Sequence, residues 1–351
     1  MRAIVTGAAG LIGAHIVRAL VRDGHDVRCL VRPSSRRDQL DDLPVQWIVA
    51  DVADADLDAA CAGCDVAFHT AALFAYGAAS HQVLHQAAVG GTEALLRACA
   101  RQHVGCVVVT SSSVVFGYSG GAASIDEAPG LTSGDGEAPY VVAKIAQHRR
   151  ALQLARSLKL DVRFACPTMT LGPTSARLGP SNGIIVAYLS DPFASTYPGG
   201  CNLVSARDVA AGHLLTAEHG ECGESYLLGA QDLTWRQIHT TIAELAGVPP
   251  PRIELNHASA FLAAAAEEIG AAISGRPALS TREQAAMIGR YYWYSHARAA
   301  ALGYAPGTAR DALIETISWL AASPHIPREV RACMRLADDI YRFRSVVESS
   351  D

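Results

Sequence analysis

The sequence predicts an α/β protein built on a doubly wound parallel sheet, with a smaller, mostly helical domain toward its C-terminal end. Three observations carry that prediction. The chain opens on the apolar run Ala3-Ile4-Val5, passes into Thr6-Gly7-Ala8-Ala9-Gly10-Leu11-Ile12-Gly13, and continues with Ile16, Val17 and Leu20 at helical spacing. Up to Cys166, short apolar runs alternate with helical patterns, which is how a parallel sheet with crossover helices reads. From 251 to 323 the pattern turns mostly helical.

Strand, glycine loop and helix in that order are what a dinucleotide site needs. The turn is tight, the backbone approaches the pyrophosphate with no Cβ in the way, and the helix sits close on the strand. The first helical turn offers free N–H groups and a positive dipole end to phosphate. Thr6, Gly7, Gly10, Leu11, Ile12 and Gly13 are therefore the expected contacts. The competing reading, glycines serving a tight turn alone, leaves the βαβ setting unused. The spacing T-G-x-x-G-x-x-G resembles that of the extended short-chain dehydrogenase/reductase, or NAD-dependent epimerase/dehydratase, family.

Composition narrows the class. A formal net charge of −5 offers no basic face for nucleic acid. No apolar run approaches the ~20 residues of a membrane span. With the first strand beginning two residues in, no secretory leader is expected, and the nine scattered cysteines fit free thiols in the cytoplasm. Cys61-Ala62-Gly63-Cys64 has metal-like spacing but no second pair to complete a tetrahedral site, so no metal is expected.

Taken in order, His25 to Val31 reads as the second strand. At the end of that strand an acidic residue would bind the ribose 2′-OH of NAD, whereas an arginine accommodates the 2′-phosphate of NADP. The chain has Val31-Arg32-Pro33-Ser34-Ser35-Arg36-Arg37 and no carboxylate before Asp38. NADP(H) is expected, through Arg32 and Arg36, with NAD(H) as the alternative. Arg32 stacked on adenine and Arg36 simply solvated are the competing readings. Val45 to Ala50 makes a third strand that ends at Asp51-Val52, where the resemblance implies an adenine contact and the bland reading is a cap for the segment from Asp54. Asp65 to His69 makes a fourth, leading into Thr70-Ala71-Ala72, which matches the family's small-residue turn under the adenine ribose. His69 reads as a packed strand histidine.

Residues 82 to 102 read as a long amphipathic helix. Its Val89-Gly90-Gly91-Thr92 matches the family's N-V-x-G-T except that the asparagine position holds Ala88, which puts a water-mediated proton relay in doubt. Val107 to Ser113 is a buried strand ending in hydroxyls, with Thr110 beside the cofactor. Tyr140-Val141-Val142-Ala143-Lys144 follows, and its i to i+4 spacing puts Tyr140 and Lys144 on one helical face. The opposite ridge, Val141, Ile145, His148 and Leu152, is left for the sheet or a partner. Aligned on the family's T-S-S-x-x-x-x-G, which ends at Gly117, the catalytic serine is Ser112; strand alternation points Ser111 and Ser113 the other way. Hydride transfer to a carbonyl develops negative charge on oxygen, which must be protonated or held. A tyrosine of pKa ~10 needs help near neutrality, and a neighbouring ammonium is expected to supply it. Ser112, Tyr140 and Lys144 are thus the expected catalytic residues.

Beyond the helix, Asp161 to Cys166 is a strand closing on Pro167-Thr168, where the family sets backbone against the nicotinamide amide. Residues 174 to 200 are rich in Gly, Pro and Ser and suggest a substrate lid. Asp208 is expected to cap the helix after Leu203-Val204-Ser205, and Thr234-Trp235-Arg236-Gln237 spells a capping box. Tyr291-Tyr292-Trp293-Tyr294 reads as core with the option of lining a pocket. The tail from Pro324 carries a charged helix.

The expected organisation is a Rossmann domain of residues 1–166 plus about 202–222, a substrate domain with a lid of 167–201 plus about 223–323, and a tail of 324–351. The resemblance spans about the first 320 residues and is closest in look to hopanoid-associated epimerase/reductase and dihydroflavonol-reductase-like proteins. It implies an NAD(P)-dependent oxidoreductase acting on a secondary alcohol or ketone, and a homodimer formed by the helices at 82–102 and 139–158. Two other functions compete: a nucleotide-sugar epimerase that retains its cofactor, and a dinucleotide-sensing protein without turnover. The intact serine, tyrosine and lysine argue against the second. A sugar dehydratase would want acidic residues beside the serine, and Ser113-Val114-Val115 has none.

Overall fold

The computed structural model describes every residue except 54–55, 72–80, 135–136, 175–177, 276–277 and 349–351. In chain order the first half runs β1 (Arg2–Thr6), α1 (Leu11–Arg22), β2 (Asp26–Val31), β3 (Gln46–Val49), α2 (Asp58–Cys61), β4 (Val66–His69), α3 (His81–Arg101), β5 (Cys106–Thr110), α4 (Pro139–Leu158) and β6 (Val162–Pro167). The chain then builds β7 (Met169–Leu171), α5 (Pro180–Ser190), β8 (Ser195–Thr196) and β9 (Gly200–Ser205) before α6 (Ala206–His219) and β10 (Ser225–Leu228). Last come β11 (Gln231–Thr234), α7 (Trp235–Ala246), β12 (Ile253–Glu254), α8 (His257–Ser274), α9 (Arg282–Ala285), β13 (Tyr291–Tyr292), α10 (Ala297–Ala300), α11 (Ala309–Ala322), α12 (Arg328–Cys333) and α13 (Asp338–Glu348).

The main sheet has the order β10-β6-β5-β4-β1-β2-β3, with every pairing parallel. The chain winds outward from β1 to β3, then crosses back to β4 and winds the other way, so the order reverses between β1 and β4. That is the doubly wound Rossmann arrangement, and the crevice at its reversal point is where ligands bind. The central strands are apolar on both faces because helices cover both: Ile4, Ala67, Val107 and Val109 pack on the α3–α4 side, while Val5, Phe68 and Val108 pack on the α1–α6 side. The opposite ridge of α4, Val141, Ile145 and His148, is buried. Val141 and Ile145 join the first of these cores.

A second sheet is built around β9, which pairs antiparallel with β11 and parallel with β13 and β7. Its core joins Leu203 to Ile185, Val186, Ile238, Ile242, Leu313 and Ile317. Much of the stretch from 174 to 200 is therefore structural: α5 buries Ile185, Val186 and Leu189, because a helix apolar on most of its circumference has to be enclosed. The tail forms two helices, α12 and α13, and Ile326, Met334 and Ile340 enter the same core. Ser205, and not Asp208, is the N-cap of α6; its Oγ accepts the Asp208 N–H, while Asp208 sits in the first turn where a carboxylate suits the helix dipole. The capping box of α7 forms as read, and Gly247 closes that helix at φ +63°.

Candidate active site

The crevice opens where β1 and β4 end. Gly7 has φ +68°, and a Cβ there would lie 2.8 Å from the Ala71 backbone. A Cβ on Gly13 would lie 2.3 Å from the Gly7 carbonyl oxygen. The first glycine thus lets the loops after β1 and β4 touch, and the second lets α1 sit down on the turn. Gly10 is the N-cap of α1 and supplies no side-chain cap, so the N–H groups of Leu11, Ile12 and Gly13 remain open at the positive end of the helix. A pyrophosphate fits this cradle by shape and by charge.

Gly7, Gly10, Leu11, Ile12, Gly13, Arg32, Arg36, Asp51, Val52, Thr70 and Ala71 all line one continuous cavity of about 1600 Å³ with Thr110, Ser112, Tyr140, Lys144, Pro167 and Thr168. Thr6 does not reach it. It is fully buried, and its hydroxyl is hydrogen-bonded to His69 Nδ1 at 2.8 Å. Strand alternation at the end of β1 turns that side chain toward β4, away from the crevice. Ala72 lies outside the described residues. Thr70 ties the turn together, its Oγ1 donating to the Thr6 carbonyl at 2.7 Å. Asp51 lines the cavity, and its Oδ1 accepts the Ala53 N–H at 3.0 Å; the N-cap of α2 is Leu57.

The three arginines after β2 are separated by their partners. Arg36 is exposed and paired with Asp38 at 2.8 Å, and Arg37 lies 5.3 Å over the Trp47 ring. Arg32 stands in an ion pair with none of the described residues and is exposed beside Ser34 and Ser35 on the cavity wall.

At the inner end of the crevice, β5 and α4 bring the three expected residues together. Ser112 is hydrogen-bonded to the Tyr140 hydroxyl, and burial pushes that phenol up to about 12, with the serine pulling weakly the other way. Lys144 is buried, and burial holds its ammonium down at about 8. Lys144 Nζ donates to the Thr110 carbonyl at 3.0 Å and to Gln147 Oε1 at 2.9 Å. The Ser111 hydroxyl bonds His148 Nδ1 at 2.8 Å, although Ser111 and Ser113 both border the cavity beside Ser112. Ser113 is hydrogen-bonded to Tyr294, whose hydroxyl donates to the Gly117 carbonyl at 2.7 Å. Thr110 contributes its backbone here, since its hydroxyl bonds His213 Nε2 at 2.8 Å.

Beyond Ser112 the cavity continues into the C-terminal half. Its walls are Ile184, Ala187, Tyr188 and Phe193 from α5 and its exit, Trp235 and His239 from α7, and Ala260, Ala263 and Ala264 from α8. Tyr188 stacks on His239 with ring centroids 4.6 Å apart. No arginine or lysine among the described residues lines this arm; Asp191 and Glu267 are its charged members. Of the aromatic run, Tyr292 and Tyr294 reach the cavity. Sequence reasoning missed Gln147, Thr92 and Asn202. Asn202 is fully buried, accepts Thr168 Oγ1 at 2.9 Å and donates to Asp232 at 2.7 Å, and so ties the turn after β6 to the second sheet. A lone polar residue in the apolar strand Cys201-Asn202-Leu203-Val204 was the signal for it. Among the described residues no cluster of His, Cys, Asp and Glu is placed to hold a metal, and no helix is long and apolar enough to cross a membrane.

This geometry agrees with comparison to known proteins. The model of the NAD dependent epimerase/dehydratase family matches residues 3–229. The chain belongs to this family. It is 30% identical over 320 residues to a putative dihydroflavonol 4-reductase of Synechocystis sp., covering 90% of this chain and 93% of the relative. It is 31% identical over 256 residues to sterol demethylase protein B of Methylococcus capsulatus, covering 73% and 77%. Among solved structures, that of gox2253 superposes with a TM-score of 0.80 at 30% identity, over 93% of this chain and 99% of the other. Family membership makes the protein an NAD(P)-dependent enzyme of the oxidoreductase type acting through a Rossmann domain.

Proposed function

We propose that the protein is an NADP(H)-dependent oxidoreductase that reduces a ketone, or oxidises the matching secondary alcohol, on a bulky, largely apolar small molecule. The observation that carries this reading is the continuity of the cavity: the Ser112–Tyr140–Lys144 cluster lies between a glycine cradle fit for a dinucleotide and an arm walled by aromatic and alanine side chains. A bound nicotinamide supplies or takes the hydride. The chain does the rest. Tyr140, neutral because it is buried, donates its proton to the oxygen on which charge develops, and Ser112 holds the same oxygen. Lys144 keeps one N–H for the crevice and stabilises the tyrosinate left behind until solvent returns the proton.

Arg32 supports the choice of NADP, since it is ion-paired with none of the described residues and stands at the end of β2, where a 2′-phosphate falls. The arm supports the apolar substrate: a nucleotide diphosphate calls for guanidinium forks, and no described arginine is there. The two relatives, a putative dihydroflavonol 4-reductase and sterol demethylase protein B, point the same way. Pairing of two copies through α3 and α4 is part of the same reading, as is a Rossmann domain of residues 1–166 plus a second span that must run past the expected 222 to take in β10, which lies beside β6 in the main sheet. The test is incubation with NADPH and a panel of bulky cyclic ketones and nucleoside-diphosphate sugars. NADPH consumed in step with a ketone is the expected result; sugar interconversion without net change in nicotinamide absorbance would overturn it in favour of an epimerase.

A further inference from the structure

Lys144 Nζ has three N–H donors, and two are spent inside the protein, on the Thr110 carbonyl at 3.0 Å and on Gln147 Oε1 at 2.9 Å. An ammonium only donates, so the oxygen of the Gln147 amide must face it. The amide nitrogen then faces Thr92 Oγ1 at 2.8 Å. Thr92 has one hydroxyl proton and gives it to the Ala88 carbonyl at 2.7 Å, so it accepts from Gln147 and from His69 Nε2, 2.9 Å away. His69 therefore carries its proton on Nε2, and its bare Nδ1 accepts from Thr6 Oγ1 at 2.8 Å. Thr6 in turn accepts the Ala71 N–H at 3.3 Å. The side chains of Thr6, His69, Thr92, Lys144 and Gln147 are all buried, and one assignment of protons satisfies every member of this hydrogen-bonded series.

We propose that Gln147 is the positioning residue for Lys144: it fixes the ammonium by direct contact, is itself fixed through Thr92 and His69 to the end of β1, and leaves the lysine one N–H for the crevice. This rests on the reading of Lys144 as part of the catalytic centre. The other titratable groups facing Lys144 are Tyr140 and His148 on α4, His69 on β4 and Cys166 on β6. Burial, helped by the ammonium, holds both histidines down at about 3, and burial lifts Cys166 and Tyr140 to about 12. All four are neutral near pH 7, so the Gln147 carbonyl is the side-chain acceptor on which the ammonium rests. Ala88, across from it, has no polar side-chain atom and takes part through its backbone alone.

The chain contains two lysines, Lys144 and Lys159, so the titration of Lys144 can be followed directly. The full-length protein is labelled with ¹³C at lysine Cε, the two signals are assigned with Lys159→Arg, and pH is varied without cofactor or substrate. Gln147→Glu places a carboxylate against the ammonium and is expected to raise the Lys144 midpoint by about one pH unit or more. Gln147→Leu removes the acceptor and is expected to lower it by about half a unit or more. With NADPH and an accepted ketone, the alkaline limb of kcat should move in the same two directions. A residue that merely filled space would change melting temperature and leave both midpoints in place. Midpoints within about 0.3 unit of wild type in whichever variants melt cooperatively overturn the proposal, and failure of both to fold overturns it too, since positioning alone does not hold the fold. The titration is independent of turnover, so loss of the catalytic reading and loss of this proposal are told apart.

Discussion

The carbonyl oxygen of Thr110, last residue of β5, accepts a hydrogen bond from Lys144 Nζ at 3.0 Å. Two residues further along the chain, Ser112 meets Tyr140, one helical turn before that lysine. Strand end and helix are thus stitched at two matched points, by the groups that do the chemistry. Displacing either side chain loosens the register of α4 against the sheet as well as the site.

Tyr140→Phe removes the proton donor and leaves the crevice intact. We expect kcat to fall about 10²–10⁴-fold while NADPH affinity stays near wild type. Lys144→Met should damage both, and Ser112→Ala should be milder than Tyr140→Phe. Steady-state kinetics with an accepted ketone, beside fluorescence titration of NADPH, separates these outcomes; wild-type rates in Tyr140→Phe would remove the catalytic assignment.

Arg32→Ala should weaken NADPH binding by roughly 10- to 100-fold, the worth of a hydrogen-bonded charge pair, and leave NADH binding nearly unchanged. Because Arg32 is exposed, the preference should shrink with added salt. Titration of both cofactors at two ionic strengths checks it. Equal affinities in the wild type, unmoved by the substitution, would mean that Arg32 only stacks on adenine.

Acid should unfold the protein early. His69 and His148 are held down at about 3, and His213 and His239 at about 4, by burial. Their folded values lie below the unfolded 6.5 or so, so the stability they contribute is complete above that value and is lost as pH falls. Each such histidine costs about 2 kcal/mol by pH 5. Urea midpoints should therefore drop steeply between about pH 6.5 and 5, and His148→Gln, which keeps a partner for Ser111, should flatten that slope. A flat profile over this window would show the imidazoles to be hydrated.

Light scattering at micromolar concentration should give the mass of a dimer. Apolar ridges on α3 and α4 are largely spent on the core, and the outer face carries Glu93 paired with Arg97 and Arg150. A dimer through these helices would be polar at its rim, and Glu93→Arg should dissociate it. A monomer in the wild type rules out the pairing.

How legible this was in the sequence varied with the range of the interaction involved. The glycine loop, the order of the strands and the Tyr140–Lys144 spacing are local patterns, and the structure assembles them into one crevice. The 174–200 stretch reads as a substrate lid from its Gly, Pro and Ser, and Ile184, Tyr188 and Phe193 do line the cavity; the burial of Ile185 beside Ile238, Ile242, Leu313 and Ile317 depends on elements far along the chain and is not legible locally. Thr6 sits in the motif yet turns its hydroxyl to His69, a contact across 63 residues. Gln147 lay next to the most obvious motif and was passed over, because nothing local says that a polar side chain on the inner face of a helix will find an ammonium.

Half of the second sheet is inserted into the first: the chain leaves β6, builds β7, α5, β8 and β9, and only then returns through α6 to lay β10 beside β6, while β11 and β13 follow later. On a ribosome, roughly 60 residues must follow β6 before its outer neighbour exists, a delay of about 3–12 s at ordinary rates of synthesis. During that interval β6 presents an open apolar edge, the kind that recruits stray strands. Slow translation through this segment should then favour aggregation of the nascent chain, and a chaperone that shields strand edges should raise the yield of the enzyme more than its finished stability would suggest.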